Sequence, residues 1–252
     1  MTEHVTEQVK ISREGAIMRL HLNRPDKKNA LTQDMYQSLL DGLNQAEQDA
    51  GVSVVIFSGE GDAFCSGNDL QDFLKHGELT PEAPVFQLLQ RLPQLTVPLV
   101  AQVQGAAIGI GTTLLLHCDL IYAAEDAVFA LPFVDLALVP EAGSSLLLPQ
   151  ICGYPRAAEL LLLGEAFNAQ KALQFGLLNS VVKNSQLAAE VNQVADKLAA
   201  KPPQALRNSK KLLKAAPESA SERIQRELKV FMKALASDEA QQVIAKKANK
   251  TL

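Results

Sequence analysis

The spacing of apolar and polar residues divides the first part of the chain into strands and a long helix. QVKIS and AIMRLHLN alternate with period two on either side of REG, which predicts a β-hairpin over residues 7–23. Thr32 then precedes a run of helical period, and a threonine at this place can cap the helix. The apolar residues of that predicted helix are Met35, Leu39, Leu40 and Leu43.

Three further apolar runs predict strands. VSVVIFSG at 52–59 is typical of a buried strand, and PLVAQVQG at 98–105 and DLIYAAEDAVFALP at 119–132 supply more strand-like sequence. The glycine-rich stretch IGIGTTLLLHC between the last two runs predicts a loop that leads into a helix. Strands that alternate with helices indicate βαβ units and a sheet covered on both faces, which is the α/β class.

The chain becomes mainly helical after Pro155. Helical periods occur in AAELLLLG, AQKALQFG, QLAAEVNQVADKLAA and PPQALRNSKKLLKAA, and again from Ser219 to Ala248. Gly164 and Gly176 stand where C-terminal helix caps are expected. Neither a low-complexity linker nor an internal repeat divides the sequence. We therefore expect one α/β core with an appended helical region.

Composition and charge exclude some classes of partner. The 252 residues are 47% hydrophobic and 21% charged, and the net charge of −4 gives no general attraction to nucleic acid or anionic membranes. The start MTEHVTEQVK lacks the apolar core of a signal peptide, and no apolar run is long enough to span a bilayer. The last residues, ANKTL, do not match the peroxisomal Ser-Lys-Leu signal. Cys65, Cys118 and Cys152 lie in apolar surroundings, which favours reduced thiols. We expect a cytoplasmic protein that binds neither nucleic acid nor membranes.

One carboxylate stands in an apolar, small-residue stretch, LVPEAGSSLLLP at 138–149. If Leu138, Val139 and Leu146 to Leu148 pack inward, Glu141 lies at the edge of an apolar cavity. Loss of water there raises the pKa of a carboxyl group and suits it to proton transfer. A helix cap or an exposed acid in a loop is the alternative.

Two glycine-containing loops could present free backbone amides. FCSGNDL at 64–70 follows a strand and a short turn, and GAAIGIG at 105–111 lies between a strand and a helix. Two such loops together could form an oxyanion hole, a pair of N–H donors that stabilises negative charge on a carbonyl oxygen. A tight turn is the alternative for the first loop. Neither loop matches the dinucleotide fingerprint or the phosphate loop.

Four segments, in order and spacing, resemble the crotonase or enoyl-CoA hydratase/isomerase superfamily. They are HLNRPDKKNAL at 21–31, AFCSGNDL at 63–70, VQGAAIGIGTTLLLHCDLIYA at 103–123 and FALPFVDLALVPEAGSS at 129–145, and the similarity continues through KPPQALRNSKKLL at 201–213. SGNDL and PEAGSS are most similar to the peroxisomal-type Δ3,Δ2-enoyl-CoA isomerase branch and its bacterial relatives. The resemblance implies a crotonase-like spiral of ββα units over residues 1–195 and a C-terminal helical trimerisation region over 196–252.

The resemblance also implies a site for an acyl-CoA thioester. Family members hold the thioester carbonyl with two backbone amides, which fall here on Asn68 and Ile110, and Gly109 adjoins the second. Their adenine and pantetheine groups run along the first motif, whose matching residues are Ser66, Gly67, Asp69 and Leu70. The candidates for the nucleotide phosphates are Arg24, Lys27 and Lys28. A solvated turn is the alternative for these cations.

The sequence departs from the hydratases of the superfamily where they carry paired glutamates. Those two positions hold Thr113 and Phe133, and neither side chain can act as a general base. Glu141 matches instead the branch in which a single acid, eight residues after the second position, does the work. Other branches, including an aryl-CoA dehalogenase, place an aspartate there, so the position faces the acyl group in several chemistries.

Three other reactive side chains have plainer interpretations. Asp135 could line the pocket, but a surface or capping role is favoured. His117, in the apolar LLLHC segment, is interpreted as a satisfied core or interface histidine. Cys65 adjoins the first loop without a partner base and is interpreted as packing. No cluster of histidines, cysteines and carboxylates has metal-ligand spacing, so no metal is expected.

The resemblance thus implies a Δ3,Δ2-enoyl-CoA isomerase that needs no cofactor beyond the CoA of its substrate. Glu141 would move a proton between the α- and γ-carbons while the two amides stabilise a dienolate. Alternatives on the same scaffold are hydration, epoxide isomerisation, dehalogenation and thioester hydrolysis, and a non-catalytic acyl-CoA binding module is an alternative of another class. Family members assemble as homotrimers or dimers of trimers through their C-terminal helices, so the same assembly is expected here.

Overall fold

The computed structural model describes residues 7–76 and 79–248. The strands are β1 (Val9–Glu14), β2 (Ile17–Leu22), β3 (Val54–Gly59), β4 (Ala63–Cys65), β5 (Leu99–Val103), β6 (Ala106–Ile108), β7 (Leu120–Ala124), β8 (Val128–Ala130), β9 (Phe167–Asn168) and β10 (Ser180–Val182). The α-helices are α1 (Gln33–Gln48), α2 (Leu70–His76), α3 (Pro84–Arg91), α4 (Ile110–Thr113), α5 (Ser144–Cys152), α6 (Tyr154–Ala158), α7 (Ala169–Gln174), α8 (Asn184–Ala199), α9 (Pro203–Leu213), α10 (Ala220–Leu235) and α11 (Asp238–Ala248). Short 3-10 helices cover Pro25–Lys27, Leu92–Gln94, Leu114–His117 and Val134–Leu136, and a π-helical turn covers Glu159–Leu163.

Two sheets share these strands. The larger has the order β1-β2-β3-β5-β7-β10 and is parallel except for the β1–β2 hairpin, and the smaller has the order β4-β6-β8-β9. Each of the pairs β3/β4, β5/β6 and β7/β8 gives its first strand to the larger sheet and its second to the smaller. Helical segments then return the chain to the larger sheet, which produces the predicted spiral. The apolar run 119–132 therefore divides at a turn into strands of two different sheets.

The central strand β3 is buried on both faces, which explains its continuous apolar sequence. Val55 and Phe57 belong to the main core, whereas Val54 and Ile56 pack in a second cluster with residues of α8. Side chains of successive strand residues point to opposite faces, so one apolar strand can serve two layers. The larger sheet thus lies between the main core and α8.

The predicted helix caps are present. The Thr32 hydroxyl accepts the N–H of Met35 at 3.3 Å and starts α1, which packs its apolar side against the core. Gly164 ends the π-helical turn and Gly176 follows α7, and both have positive φ, 66° and 80°. Glycine adopts this left-handed conformation without steric cost, so both helices end where the sequence indicates.

Helix α9 is fixed to the core by buried cations. Arg207 pairs with Glu47 at 3.2 Å and donates to backbone carbonyls near the end of α1. Lys210 pairs with Asp119 at 2.6 Å. Burial lowers the pKa of Lys210, and the Asp119 carboxylate opposes that effect. Such groups are stable in a core only when they are paired and hydrogen-bonded, as here.

No residue of helix α10 is buried. The apolar residues along its exposed side are Ile224, Leu228, Phe231, Met232 and Leu235. The boundary predicted between residues 195 and 196 falls inside α8, whose Ala195 still packs on the larger sheet. The division into a core and a trimerisation region stays a prediction. No helix in the described ranges is long and apolar enough to cross a membrane.

Candidate active site

The FCSGNDL loop runs beside the segment that precedes α1. The N–H of Leu31 donates to the Gly67 carbonyl at 2.8 Å, and the N–H of Asp69 donates to the Leu31 carbonyl at 2.9 Å. In this parallel bridge Leu31 bonds to the residues on either side of Asn68. The backbone N–H of Asn68 itself therefore points away from Leu31. No hydrogen bond found within residues 7–76 and 79–248 uses that N–H. It is therefore free to bind a ligand.

The GAAIGIG segment forms β6 and then enters α4. Gly109, with φ of 55°, donates its N–H to the Ala130 carbonyl at 2.9 Å, and its own carbonyl accepts the N–H groups of Thr112 and Thr113 at 2.9 Å. Ile110 is the first residue of α4, where an amide has no acceptor within the helix. Across the described residues no hydrogen bond uses the N–H of Ile110, so the second loop also presents a free amide.

The pairing of β4 with β6 brings these two amides to the same end of the smaller sheet. Cys65 lies opposite Ala107 in parallel register, and Asn68 and Ile110 each follow three residues later. Gly67 has φ of 105°, and a Cβ on it would lie 3.1 Å from a carbonyl oxygen of β6. A side chain there would be strained by the positive φ and would displace that carbonyl by a few tenths of an ångström, which favours glycine at this close approach.

Glu141 starts a tight turn that leads into α5. Its carbonyl accepts the N–H of Ser144 at 2.9 Å and the hydroxyl of Ser144 at 2.7 Å. Ala142 and Gly143 have φ of 51° and 69°, the pattern of a type I′ turn, and an alanine is strained there. His117 Nε2 donates to the Ala142 carbonyl at 2.8 Å and holds the strained residue. The turn fixes the backbone of Glu141.

The Glu141 carboxyl is largely buried, and the Thr113 hydroxyl donates a hydrogen bond to its Oε1. Burial raises the pKa of Glu141 to about 7, and the Thr113 hydrogen bond acts in the opposite direction. A carboxyl group with this pKa gains and loses a proton easily at neutral pH. The carboxyl therefore has the properties of a general base and is not an exposed loop acid.

The apolar neighbours of Glu141 in sequence do not supply this burial. Leu138, Val139 and Leu146 are exposed and only Leu148 is fully buried, so the expectation that all of them pack inward is wrong. Because α5 begins at Ser144, its helical period turns Leu148 towards the core and Leu146 towards solvent. The groups that interact with the carboxyl come instead from α4 and α1.

Tyr36 belongs to the site although the sequence analysis did not single it out. It is fully buried on α1, and its hydroxyl donates a hydrogen bond to Oδ1 of Asn68. Burial raises the pKa of Tyr36 well above its usual value, and Cys65 and Glu141 raise it further, so the phenol stays protonated. The available signal was a hydroxyl group on the apolar side of a predicted helix, where a buried tyrosine needs a partner.

His117, Cys65 and Asp135 are the other reactive side chains considered from the sequence. Burial lowers the pKa of His117, so its ring is neutral and serves the hydrogen bond to Ala142. Burial raises the pKa of the Cys65 thiol to about 12, which keeps it protonated and unreactive at neutral pH. Asp135 is exposed, and its carboxylate lies against the backbone of Gly164.

Two of the predicted ligand-binding residues bond to each other. Arg24 pairs with Asp69 at 2.7 Å and also donates to the Ala30 carbonyl at 3.0 Å. Arg24 is the main cause of the lowered pKa of Asp69, whose other carboxylate oxygen accepts the N–H groups of Gln71 and Asp72 at the start of α2. This ion pair joins the NRPDKKNAL segment to the SGNDL loop.

The other predicted ligand-binding residues lie along the outer side of that loop. Ser66 donates its N–H to the Lys28 carbonyl at 2.9 Å and its hydroxyl to the Lys27 carbonyl at 3.2 Å. Lys27, Lys28 and Leu70 are exposed. The two lysine side chains therefore flank the loop whose amide is free. Across the described ranges, no group of three or more histidine, cysteine and acidic side chains could hold a metal ion.

Two free amides and a partly buried carboxyl group form a candidate site that can remove a proton next to a carbonyl and stabilise the resulting anion. Residues 12–250 match the family model described as enoyl-CoA hydratase/isomerase. The chain belongs to this family of the crotonase superfamily, whose enzymes act on acyl-CoA, and the resemblance carried by the four segments is confirmed.

Curated relatives have several activities. The 1,2-epoxyphenylacetyl-CoA isomerase of Escherichia coli (strain K12) is 35% identical over 198 residues, which are 75% of each chain. Enoyl-CoA delta isomerase 2 of Rattus norvegicus is 37% identical over 210 residues, 81% of this chain, but this chain spans only 54% of the rat protein. The 2,3-dehydroadipyl-CoA hydratase of Escherichia coli (strain K12) is 34% identical over 83% of each chain.

Solved structures establish the crotonase fold. A protein from Magnetospirillum magneticum AMB-1 is 40% identical with a TM-score of 0.94, over 98% of this chain and 97% of the other. An enoyl-CoA hydratase/isomerase from Pseudoalteromonas atlantica T6c is 36% identical with a TM-score of 0.81, over 96% and 97%. The crotonase-like α/β fold with C-terminal helices is therefore confirmed.

Proposed function

We propose that this protein is a Δ3,Δ2-enoyl-CoA isomerase that uses Glu141 as its single base. The observation that carries the proposal is the partly buried Glu141 carboxyl bonded to the hydroxyl of Thr113, a setting that raises its pKa to about 7. Thr113 stands where the hydratases of the family carry one of their two glutamates. One base suits the movement of a proton between two carbons, whereas their hydration chemistry uses two acids on one water.

In the proposed reaction the thioester oxygen accepts hydrogen bonds from the backbone amides of Asn68 and Ile110. This polarisation acidifies the protons on C2, and Glu141 removes one of them to form a dienolate. Glu141 then returns the proton to C4, so the double bond moves from C3–C4 to C2–C3 and the carboxylate is regenerated. Atoms and charge balance without any cofactor beyond the CoA of the substrate. Removing one oxyanion donor typically costs roughly 3 to 4 kcal/mol of transition-state stabilisation.

The remaining predicted residues have supporting roles in this proposal. Gly67 and Gly109 allow the two loops to approach the thioester, while Ser66 and Leu70 lie along the path of the pantetheine. The exposed Lys27 and Lys28 are the proposed partners of the nucleotide phosphates. Because Arg24 and Asp69 neutralise each other, we propose that they act by holding the loop in place.

A second candidate is isomerisation of an epoxide-bearing acyl-CoA. The observation that favours it is the 35% identity to the Escherichia coli 1,2-epoxyphenylacetyl-CoA isomerase. The same oxyanion donors and the same base would be available to such a substrate. A non-catalytic acyl-CoA binding module is the alternative of another class, although it gives no reason for a buried base.

Turnover of a panel of acyl-CoA thioesters tests these candidates. We expect conversion of 3-hexenoyl-CoA to 2-hexenoyl-CoA, which is followed by the absorbance of the conjugated product. Conversion of an epoxyacyl-CoA without any isomerisation of 3-enoyl-CoA would replace the first candidate by the second. Binding of hexanoyl-CoA in a calorimeter without turnover of any member of the panel would favour the binding module.

A further inference from the structure

We propose that Tyr36 is a positioning residue that holds the side chain of Asn68 away from the oxyanion hole, so that the Asn68 backbone amide stays free. The inference rests on the proposed function, because it assumes that this amide binds the thioester oxygen. It assigns a task to a buried hydroxyl group that the proton transfer itself does not use.

The backbone N–H of Asn68 is open to acceptors other than the ligand. The Leu31 bridge turns this N–H away from the neighbouring segment, and it has no acceptor within residues 7–76 and 79–248. Asparagine is a short amide side chain that readily bonds to nearby backbone N–H groups in loops. An untethered Asn68 side chain could therefore place its own Oδ1 on a local amide and occupy or tilt the donor that the ligand needs.

The Tyr36 hydroxyl prevents this by engaging Oδ1 itself. Tyr36 is fully buried and fixed on the 16-residue helix α1, so its hydroxyl has little freedom to move. A buried hydroxyl that loses its acceptor is costly, which makes the bond to Asn68 directional and persistent. With Oδ1 engaged, the Asn68 backbone amide stays available to the ligand.

The bond should persist over the whole working pH range. Burial, Cys65 and Glu141 all raise the pKa of Tyr36, so the phenol remains a donor when Glu141 is deprotonated. Removing the hydroxyl should therefore lower the rate by the same factor at every pH. It should leave unchanged the acid limb of the pH profile, which belongs to Glu141.

The test combines Tyr36→Phe with Asn68→Ala in a double-mutant cycle. Polarisation of the bound carbonyl is measured directly by the red shift of 4-(dimethylamino)cinnamoyl-CoA, a thioester whose absorption moves when its carbonyl is polarised. Turnover of 3-hexenoyl-CoA supplies kcat and KM. Tyr122→Phe, which removes a hydroxyl on the other face of the larger sheet, is the matched control and should leave both measurements unchanged.

We expect Tyr36→Phe to lower kcat about tenfold and to diminish the red shift, with KM within about threefold of the wild-type value. In the Asn68→Ala background, which lacks the competing side chain, Tyr36→Phe should change kcat less than about twofold. Asn68→Gln tests the same bond without altering the core. The longer glutamine side chain places its amide oxygen away from the Tyr36 hydroxyl. Asn68→Gln should therefore lower kcat and diminish the red shift as Tyr36→Phe does.

Wild-type kcat and red shift in Tyr36→Phe, or an equal loss of kcat in the Asn68→Ala background, would overturn the proposal. Should Tyr36→Phe not fold, a wild-type red shift in Asn68→Gln would overturn it. The red shift requires no turnover, so the experiment distinguishes failure of this inference from failure of the isomerase assignment. A wild-type protein that shifts the chromophore but does not isomerise 3-hexenoyl-CoA leaves the inference supported if Tyr36→Phe diminishes that shift.

Discussion

The hydroxyl of Thr113, at the end of α4, donates a hydrogen bond to Oε1 of Glu141, which lies 28 residues later before α5. The bond fixes one carboxylate oxygen and leaves the other available for a proton. It also opposes the effect of burial, which otherwise raises the pKa of Glu141. Thr113 thus both positions the Glu141 carboxyl and limits the rise of its pKa.

Glu141→Gln should lower isomerase turnover by roughly a hundred- to ten-thousand-fold, the usual contribution of a general base. Glutamine keeps the size and polarity of the side chain but cannot accept the proton. The dissociation constant for hexanoyl-CoA should change little, because the proposed donors to the carbonyl are backbone amides and not Glu141. Asp135→Asn is the matched control, since this exposed acid should have no effect on turnover. Near-normal turnover of Glu141→Gln would remove Glu141 from its proposed role.

The rate should depend on pH through the protonation of Glu141. Because the base acts when deprotonated, kcat/KM should rise with pH through an apparent pKa of about 7. The Thr113 hydrogen bond lowers this pKa, so Thr113→Val should move the acid limb to higher pH. Thr113→Val should therefore be slower near neutral pH and recover in alkaline solution, whereas Thr113→Ser should retain the wild-type profile. An unmoved acid limb in Thr113→Val would contradict the assignment of that limb.

Hydration of crotonyl-CoA should be undetectable or very slow beside isomerisation, as followed by loss of the enoyl absorbance. Thr113 and Phe133 are both buried and neither can activate a water. Phe133 belongs to the main hydrophobic core, so Thr113→Glu combined with Phe133→Glu should destabilise the fold as well as change the site. Efficient hydration by the unmodified protein would show that Glu141 alone can serve a water.

Arg207→Ala should lower the free energy of unfolding by about 3 to 5 kcal/mol, as measured by urea denaturation. Removing this side chain leaves the Glu47 carboxylate without its cation and several carbonyls at the end of α1 without their donor. Arg226→Ala is the matched control, because the Arg226 side chain is half exposed, its partner Glu218 keeps a second pair with Arg223, and the loss should be less than about 1 kcal/mol. Equal effects of the two substitutions would show that α9 is not held by its buried cations.

The mass in solution should correspond to about three or six chains, as the family resemblance implies. The exposed apolar side of α10 is the proposed contact surface, so Phe231→Glu should shift light scattering towards the monomer by placing a charge there. Lys229→Glu, on the same helix but outside the apolar stripe, should leave the mass unchanged. A wild-type monomer would remove the proposed assembly.

The sequence by itself determined the local elements and the residue types of the site. Alternation predicted the β1–β2 hairpin, Thr32 predicted the start of α1, and the unbroken apolar run of β3 predicted a strand buried on both faces. The glycines of the two loops and the lone Glu141 carboxylate pointed to the proposed oxyanion donors and the proposed base. Each of these features depends on a few neighbouring residues, and such features are visible in sequence.

Only the tertiary structure decided which distant groups meet. It divided residues 119–132 between two sheets, turned Leu146 outward, and buried Arg207 and Lys210 although charged residues are usually exposed. It also joined Thr113 to Glu141 and Tyr36 to Asn68. Strand pairing and the burial of a side chain depend on contacts between residues far apart in the chain. The periodicity of a short segment therefore contains no information about them.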